Sequence, residues 1–296
     1  MIILSGTSQP HLAKRIASIL NVKCIQANVQ HFEDQELRIQ VTDSLYEEDV
    51  VIVQSTSRPA NDHLLELLLL VDTVRRAGVR RIIVAIPYFG YGRQDRPSYD
   101  HGPISASLIA RLMEAAGIDR IVTLDLHSRQ SEGFFTVGVQ NLNPMELFAP
   151  IFADRKDCLV VSPDVGGLIR AQPFSVKLGT GLVVINKTRT KEGDCQMSDV
   201  IGDVVGKHCI LIDDIVDTAG TLCKAAELVM KKGAKAVSAC VTHAVLSRNA
   251  AEVISKSAIK KLYVTDSIVH VGLPKKIQVI SIDELFAATL SSCCNN

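Results

Sequence analysis

Short apolar runs rich in β-branched residues recur along the chain, each followed by an amphipathic stretch. This alternation restricts the fold more than any other feature. The runs are residues 2–4, 50–54, 81–86, 120–124, 158–162, 181–186, 208–212, 236–241, 261–264 and 278–280. Most are apolar without alternation, which predicts parallel strands buried on both faces. Between them Leu12, Ile16, Ile19 and Leu20 repeat at helical spacing, as do Leu222, Ala225, Ala226 and Val229. The expected fold class is therefore α/β, mainly parallel sheets flanked by helices.

The pattern occurs twice. Val50-Val51-Ile52-Val53-Gln54, a leucine-rich helical stretch and the strand after Gly78 form one unit. Cys209-Ile210-Leu211-Ile212-Asp213, a helical stretch and the strand after Gly233 form the other. Any two βαβ units share this outline, so a generic likeness stays open. The preferred reading is two similar domains, 1–142 and 143–296, joined near residues 141–144. A chain of 296 residues, 47% hydrophobic, can bury two cores of ordinary size.

Composition excludes several classes. Lys plus Arg equals Asp plus Glu at 32 each, so no broad basic surface for nucleic acid is expected and any anion must be held locally. The longest greasy stretch, 64–71, is interrupted by Glu66 and is far short of the ~20 residues that cross a bilayer. The first residues lack the basic leader of a signal peptide, and the eight cysteines have no metal-type spacing. A cytoplasmic protein with reduced thiols and no membrane partner is expected.

The segment 208–221 carries the chemistry: an apolar strand, then Asp213 and Asp214, then Asp217-Thr218-Ala219-Gly220-Thr221 opening a helix. Ligands of parallel sheets bind at the carboxyl ends of strands. There the loop would turn backbone N–H groups into one concavity, and the helix adds its positive end. Gly220 lets a phosphate approach the backbone, and the threonines add hydroxyl donors. Asp213 and Asp214, one step back, can accept from sugar hydroxyls. Any three of these residues would also serve as an ordinary helix cap. The whole string resembles the phosphoribosyl pyrophosphate-binding loop shared by type I phosphoribosyltransferases and phosphoribosyl pyrophosphate synthetases.

Three further segments make the resemblance specific to the synthetases, the ribose-phosphate pyrophosphokinase family. Pro87-Tyr88-Phe89-Gly90-Tyr91-Gly92-Arg93-Gln94-Asp95-Arg96 sets arginines among glycines and aromatics, which suits a polyphosphate beside a flat base. Alone it also reads as a basic surface loop; the resemblance implies that Arg93 and Gln94 bind ATP. Asp125-Leu126-His127-Ser128 ends a strand, where a lone histidine is otherwise structural. The resemblance implies Mg²⁺ as cofactor, with His127 and Asp164, of Ser162-Pro163-Asp164-Val165-Gly166-Gly167, as ligands. Mg²⁺ prefers oxygen, so Asp164 suits the ion better than His127. Asn186-Lys187-Thr188-Arg189 delivers two cations on one face of a strand, which alone reads as a solvated edge, and residues 190–196 read as a mobile loop. By resemblance this is the catalytic loop, with Lys187 and Arg189 acting on the transferring group and Arg189 also touching the sugar phosphate.

A weaker match, Phe32-Glu33-Asp34-Gln35-Glu36, resembles the loop that contacts the adenine nucleotide, sometimes across a subunit boundary. There Phe32 would stack, while Asp34 and Glu36 would accept hydrogen bonds. The implied substrates are ATP and ribose 5-phosphate, the implied products AMP and 5-phospho-α-D-ribose 1-diphosphate. A homo-oligomer is implied too, dimer-based and up to a hexamer. A nucleobase phosphoribosyltransferase shares the 213–221 loop and a non-catalytic regulatory homologue shares the fold, so both stay open. The segment 282–296 departs from the pattern of the longer members.

Overall fold

A computed structural model describes residues 1–189 and 195–294; the side chains of 187–189, 195–198 and 294 lie outside that description. The chain divides into two compact units, one of residues 1–143 with 267–269 and 281–296, the other of residues 144–266 with 270–280.

In the first unit the chain runs β1 (Ile2–Ser5), α1 (Pro10–Leu20), β2 (Lys23–Gln26), β3 (Asn28–His31), β4 (Leu37–Gln40), β5 (Asp49–Val53), α2 (Ala60–Arg76), β6 (Arg81–Ile86), α3 (Ser105–Ala116), β7 (Arg120–Leu124) and β8 (Gly138–Leu142). Six strands form a parallel sheet in the order β2-β1-β5-β6-β7-β8. β3 and β4 pair antiparallel as a separate hairpin. All of β5, Asp-Val-Val-Ile-Val, is buried: α2 and α3 cover the face that carries Val50 and Ile52, and α1 also packs against the strand.

The second unit runs α4 (Met145–Phe148), β9 (Cys158–Ser162), α5 (Leu168–Leu178), β10 (Leu182–Arg189), β11 (Cys195–Ile201), β12 (His208–Val216), α6 (Gly220–Lys231), β13 (Ala236–Ala244), α7 (Ala250–Lys256), β14 (Ile259–Thr265) and β15 (Ile277–Ile280). Its seven strands lie in the order β11-β10-β9-β12-β13-β14-β15, with only β10–β11 antiparallel. One core packs Leu222, Ala225, Ala226 and Val229 of α6 on Cys209 and Leu211. The opposite core packs Ala171 and Phe174 of α5 on Ile210 and Ile212. The last helix, α8 (Asp283–Cys294), belongs to the first unit, where Arg15 of α1 meets Asp283 at 2.7 Å.

The fold class is the expected one, and every apolar run is a strand. The structure adds β2, β3, β4, β8 and β11, which border a sheet or form the hairpin. The first four are partly exposed, so none carries a continuous apolar run. The backbone of 195–196, expected in a loop, belongs to β11, while 190–194 lie outside the described residues. Along α1 the buried face is Leu12, Ala13, Ile16 and Ala17; Ile19 is 50% exposed, because the helix stops at Leu20 and its last turn faces water.

Each sheet reverses its winding once. In the first unit the chain leaves β1 toward β2 on one side and β5 toward β6 on the other. In the second unit the reversal falls between β9 and β12. Carboxyl ends of strands at such a reversal form a crevice.

Candidate functional site

The two crevices differ. In the first unit the chain's own side chains fill it. The Thr7 N–H donates to Glu66 Oε1 at 2.7 Å and the Ser8 hydroxyl to Gln54 Oε1 at 2.7 Å. Gln9 Nε2 and the Ser55 hydroxyl both donate to the Ser267 carbonyl at 2.7 Å. A Cβ on Gly6 would lie 2.3 Å from Gln54 Oε1, so this space is full.

The crevice of the second unit is open. β12 carries Asp213 and Asp214 and continues to Val216. Ala219 then adopts a left-handed conformation (φ 66°) and Gly220 begins α6. A left-handed residue followed by a helical one turns successive N–H groups to one side. Helix geometry leaves the amides of residues 220–222 without an intrahelical acceptor, while the Cys223 N–H bonds the Ala219 carbonyl at 3.0 Å. The nearest atom to a Cβ built on Gly220 is Thr218 Oγ1, 4.0 Å away. Thr218 and Thr221 are exposed and Asp217 is half-buried. The Ser247 N–H, from the loop after β13, holds the Asp217 carbonyl at 3.1 Å. The result is an amide-lined hollow at the positive end of a helix, suited to a phosphate monoester.

Acids border this hollow. Asp213 Oδ1 accepts from the Asp214 N–H at 3.0 Å. Burial, reinforced by the Asp214 and Asp164 carboxylates, pushes the Asp213 acid well above the ordinary carboxylate range. Asp214 is buried, with Arg170 Nη2 3.4 Å from its Oδ2. Asp164 Oδ1 accepts the Gly167 N–H at 2.9 Å, and the Ser162 hydroxyl donates to the Asp164 carbonyl at 2.6 Å. A Cβ on Gly167 would come within 2.7 Å of Ser162 Oγ, so a side chain there would force that hydroxyl to shift.

In the first unit three segments remain. The β3–β4 hairpin ends in Phe32, Asp34 and Glu36, all exposed. Its turn is closed by the Phe32 N–H on the Glu36 carbonyl (2.8 Å) and the Glu36 N–H on Asp34 Oδ1 (3.2 Å), with the Arg38 guanidinium 5.8 Å from the Phe32 ring centroid. The segment 87–96 leaves β6 with Arg93 and Gln94 exposed. Gln94 is tied to α3: its Oε1 accepts the Ser105 hydroxyl at 2.6 Å and its carbonyl the Ala106 N–H at 3.2 Å. Upstream, the Gly90 N–H donates to Thr56 Oγ1 at 2.6 Å, and the Tyr91 hydroxyl bonds Asn61 Oδ1. After β7, Asp125-Leu126-His127 is held by β8: the Asp125 N–H bonds the Leu142 carbonyl (3.0 Å) and the Leu126 N–H bonds Asn141 Oδ1 (3.1 Å). Asn141 is itself fixed by Glu132 at 2.9 Å, and His127 is exposed.

Backbone strain marks these segments. Nine described non-glycine residues have a left-handed conformation, and four of them, Gln35 (φ 71°), Tyr91 (62°), Asp125 (42°) and Ala219 (66°), fall in segments read from the sequence as binding, while the segments 162–167 and 186–189 hold none. Each costs about 1–2 kcal/mol. Such outliers persist where surrounding bonds over-determine them, and they gather at functional sites.

The structure thus brings Asp164, Asp213, Asp214 and the 217–221 loop to one crevice of the second unit. Phe32, Asp34, Glu36, Arg93, Gln94 and His127 lie on loops of the first. Lys187 and Arg189 are placed as backbone on β10, with side chains outside the described residues. Sequence reading missed the supports Arg170, Ser105, Thr56, Asn141 and Glu132. They hold other residues rather than a ligand, and no motif announces such contacts.

For a divalent cation the local chemistry is favourable. Asp164 offers carboxylate oxygen beside acids whose mutual repulsion a cation would relieve. Among the described residues no group of three or more His, Cys, Asp or Glu could hold a metal ion. No described helix is long and apolar enough to cross a membrane.

Comparison with known proteins covers both units. Residues 1–117 match the N-terminal domain of ribose phosphate pyrophosphokinase, and residues 143–276 match the phosphoribosyl transferase domain. The chain is 48% identical to the Agrobacterium fabrum ribose-phosphate pyrophosphokinase over 90% of its own length and 87% of that protein's. It is 43% identical to the Brucella melitensis protein of the same name, over 98% and 96%. It superposes on the crystal structure of phosphoribosylpyrophosphate synthetase from Mycobacterium smegmatis with a TM-score of 0.93 at 34% identity, covering 100% of this chain and 99% of that one.

Proposed function

The chain belongs to the ribose-phosphate pyrophosphokinase family and catalyses the transfer of the diphosphoryl group of ATP to the C1 hydroxyl of ribose 5-phosphate, and on that premise we propose how its residues divide the work. The observation that carries the ribose 5-phosphate site is the open amide hollow at residues 217–221, beside Asp213, while the activity rests on the likeness over both units.

The 5-phosphate is held by the amides of the 217–221 loop and by the Thr218 and Thr221 hydroxyls, with Asp213 accepting from the ribose hydroxyls. The nucleotide is held in the first unit. There Phe32 offers a ring to the adenine, Asp34 and Glu36 accept hydrogen bonds, and Arg93 and Gln94 supply donors. The C1 oxygen attacks the β-phosphorus, a new O–P bond forms, the α–β bridging bond breaks, and AMP departs. Such chemistry depends chiefly on positioning and on neutralising charge. Lys187 and Arg189 on β10 stabilise the charge that grows on the transferring group, and Arg189 also steadies the sugar phosphate.

Asp164 would hold Mg²⁺ through carboxylate oxygen, and His127 is the second ligand that the family reading implies; bound, the ion would withdraw charge from the phosphate oxygens. The sequence reading divides the working domains at 142/143, while by packing α8 (Asp283–Cys294) belongs to the first unit. The exposed Phe32 hairpin suits a nucleotide contact shared between subunits, and a dimer-based homo-oligomer working in the cytosol follows from the family reading.

The test is a crystal grown with ribose 5-phosphate, alongside an assay for AMP released from ATP without a nucleobase. Density for the phosphate on the 217–221 amides is expected. An empty hollow, with the sugar bound elsewhere, would sink the site assignment while leaving the activity standing.

A further inference from the structure

We infer that Arg170 is a positioning residue for this reaction: from α5 it anchors the buried Asp214, and through the Asp214 backbone it sets the Asp213 carboxyl that receives the sugar. The inference rests on the sugar-loop assignment above. It also separates two acids that the sequence treats as equivalent.

An ion pair from α5 does the separating. Side chains of β12 alternate between the sheet faces. Ile210 and Ile212 pack with Ala171 and Phe174 of α5, whereas Cys209 and Leu211 pack with Leu222, Ala225 and Ala226 of α6. Toward the end of β12 this alternation gives way: Val216 packs in the α6 core, and the Asp213 and Asp214 carboxyls lie against each other. Arg170 stands in the first turn of α5, its Nη2 3.4 Å from Asp214 Oδ2, and the two side chains are only 12% and 5% exposed.

The link to the sugar is short. Asp214 donates its own N–H to Asp213 Oδ1 at 3.0 Å, so the peptide that Arg170 holds through a side chain also orients the neighbouring acid. Without Arg170, Asp214 is a buried charge with less compensation and must move toward water or another donor. Its peptide moves with it, and the Asp213 carboxyl loses its setting. Arg170 need not touch substrate for this, and nothing in the mechanism links it to ATP.

The test is steady-state kinetics on the full chain with Arg170→Met, Asp214→Asn and the double variant, with urea midpoints measured in parallel. Arg170→Met is expected to raise the KM for ribose 5-phosphate about tenfold or more while the KM for ATP stays within about twofold. Adding Asp214→Asn should recover part of the loss, because removing both partners removes the uncompensated charge. Should Arg170→Met fail to fold, Arg170→Gln is read in the same way, since it keeps polarity without the charge. An unchanged KM for ribose 5-phosphate in a folded Arg170 variant overturns the inference. So do losses at Arg170 and Asp214 that simply add, or KM values for both substrates that rise together. Asp213→Asn separates the two levels. If it raises the sugar KM while Arg170→Met does not, only this inference falls; if it leaves the sugar KM intact, the sugar-loop assignment falls.

Discussion

Replacing Gly220 by alanine should make the protein more stable and much worse at binding ribose 5-phosphate. Gly220 is the first residue of α6, and among the described residues nothing lies closer than 4.0 Å to where its Cβ would stand. Alanine there meets no steric cost and restricts the unfolded chain, which should add about 0.4–1 kcal/mol. The same empty space is where the phosphate must approach the backbone amides, to about 2.7–2.9 Å for charge-assisted hydrogen bonds. A methyl group in the hollow holds the anion away. Each hydrogen bond to a charged group contributes about 1.5–3 kcal/mol, so losing two costs about 3–6 kcal/mol. That corresponds to a loss of roughly two to four orders of magnitude in affinity. Thermal or urea unfolding without sugar gives the first quantity, and calorimetric titration or the KM for ribose 5-phosphate gives the second. If Gly220→Ala is more stable yet binds the sugar phosphate within about threefold of the parent, the hollow is not the phosphate site.

Lys187→Ala should cut turnover by about 10²–10³, the usual cost of removing one transition-state donor, while ribose 5-phosphate binding by calorimetry stays largely intact. Ser105→Ala should release the Gln94 amide, which it holds at 2.6 Å, and raise the KM for ATP several-fold with the sugar KM unchanged; equal KM values in the variant would exclude that role. Asp49 carries a pH dependence far from the site. The Arg80 hydrogen bond, aided by Arg81 and opposed by burial, lowers its pKa to about 2. A folded pKa below the unfolded one adds stability above about pH 4 that is lost as pH falls toward 2. The shift sets an upper bound near 2 kcal/mol, and the exposure of Arg80 reduces it to about 1. Urea midpoints of the wild type should fall more than those of Asp49→Asn across that window, and parallel curves would refute the pairing.

Much of this protein is legible in its sequence because its information is local. Central strands such as β5 are continuous apolar runs, since burial on both faces leaves no place for polar residues. The 213–221 loop is legible for a similar reason: a strand end, a glycine and a helix start follow one another in the chain, so one segment makes its own phosphate hollow. Edge strands such as β2 and β8 escape detection because half of each faces water. Supports such as Asn141 beneath Leu126, or Ser105 beside Gln94, escape because they join positions that only the folded chain brings together. Asp213 and Asp214 show the limit most plainly. The sequence determined that two carboxyl groups stand before the loop, but not that they do different things. The two carboxyls lie against each other, and α5, arriving from elsewhere in the chain with Arg170, claims one of them. Residue type is set by the chain, whereas the partner of a buried charge is set by what packs against it.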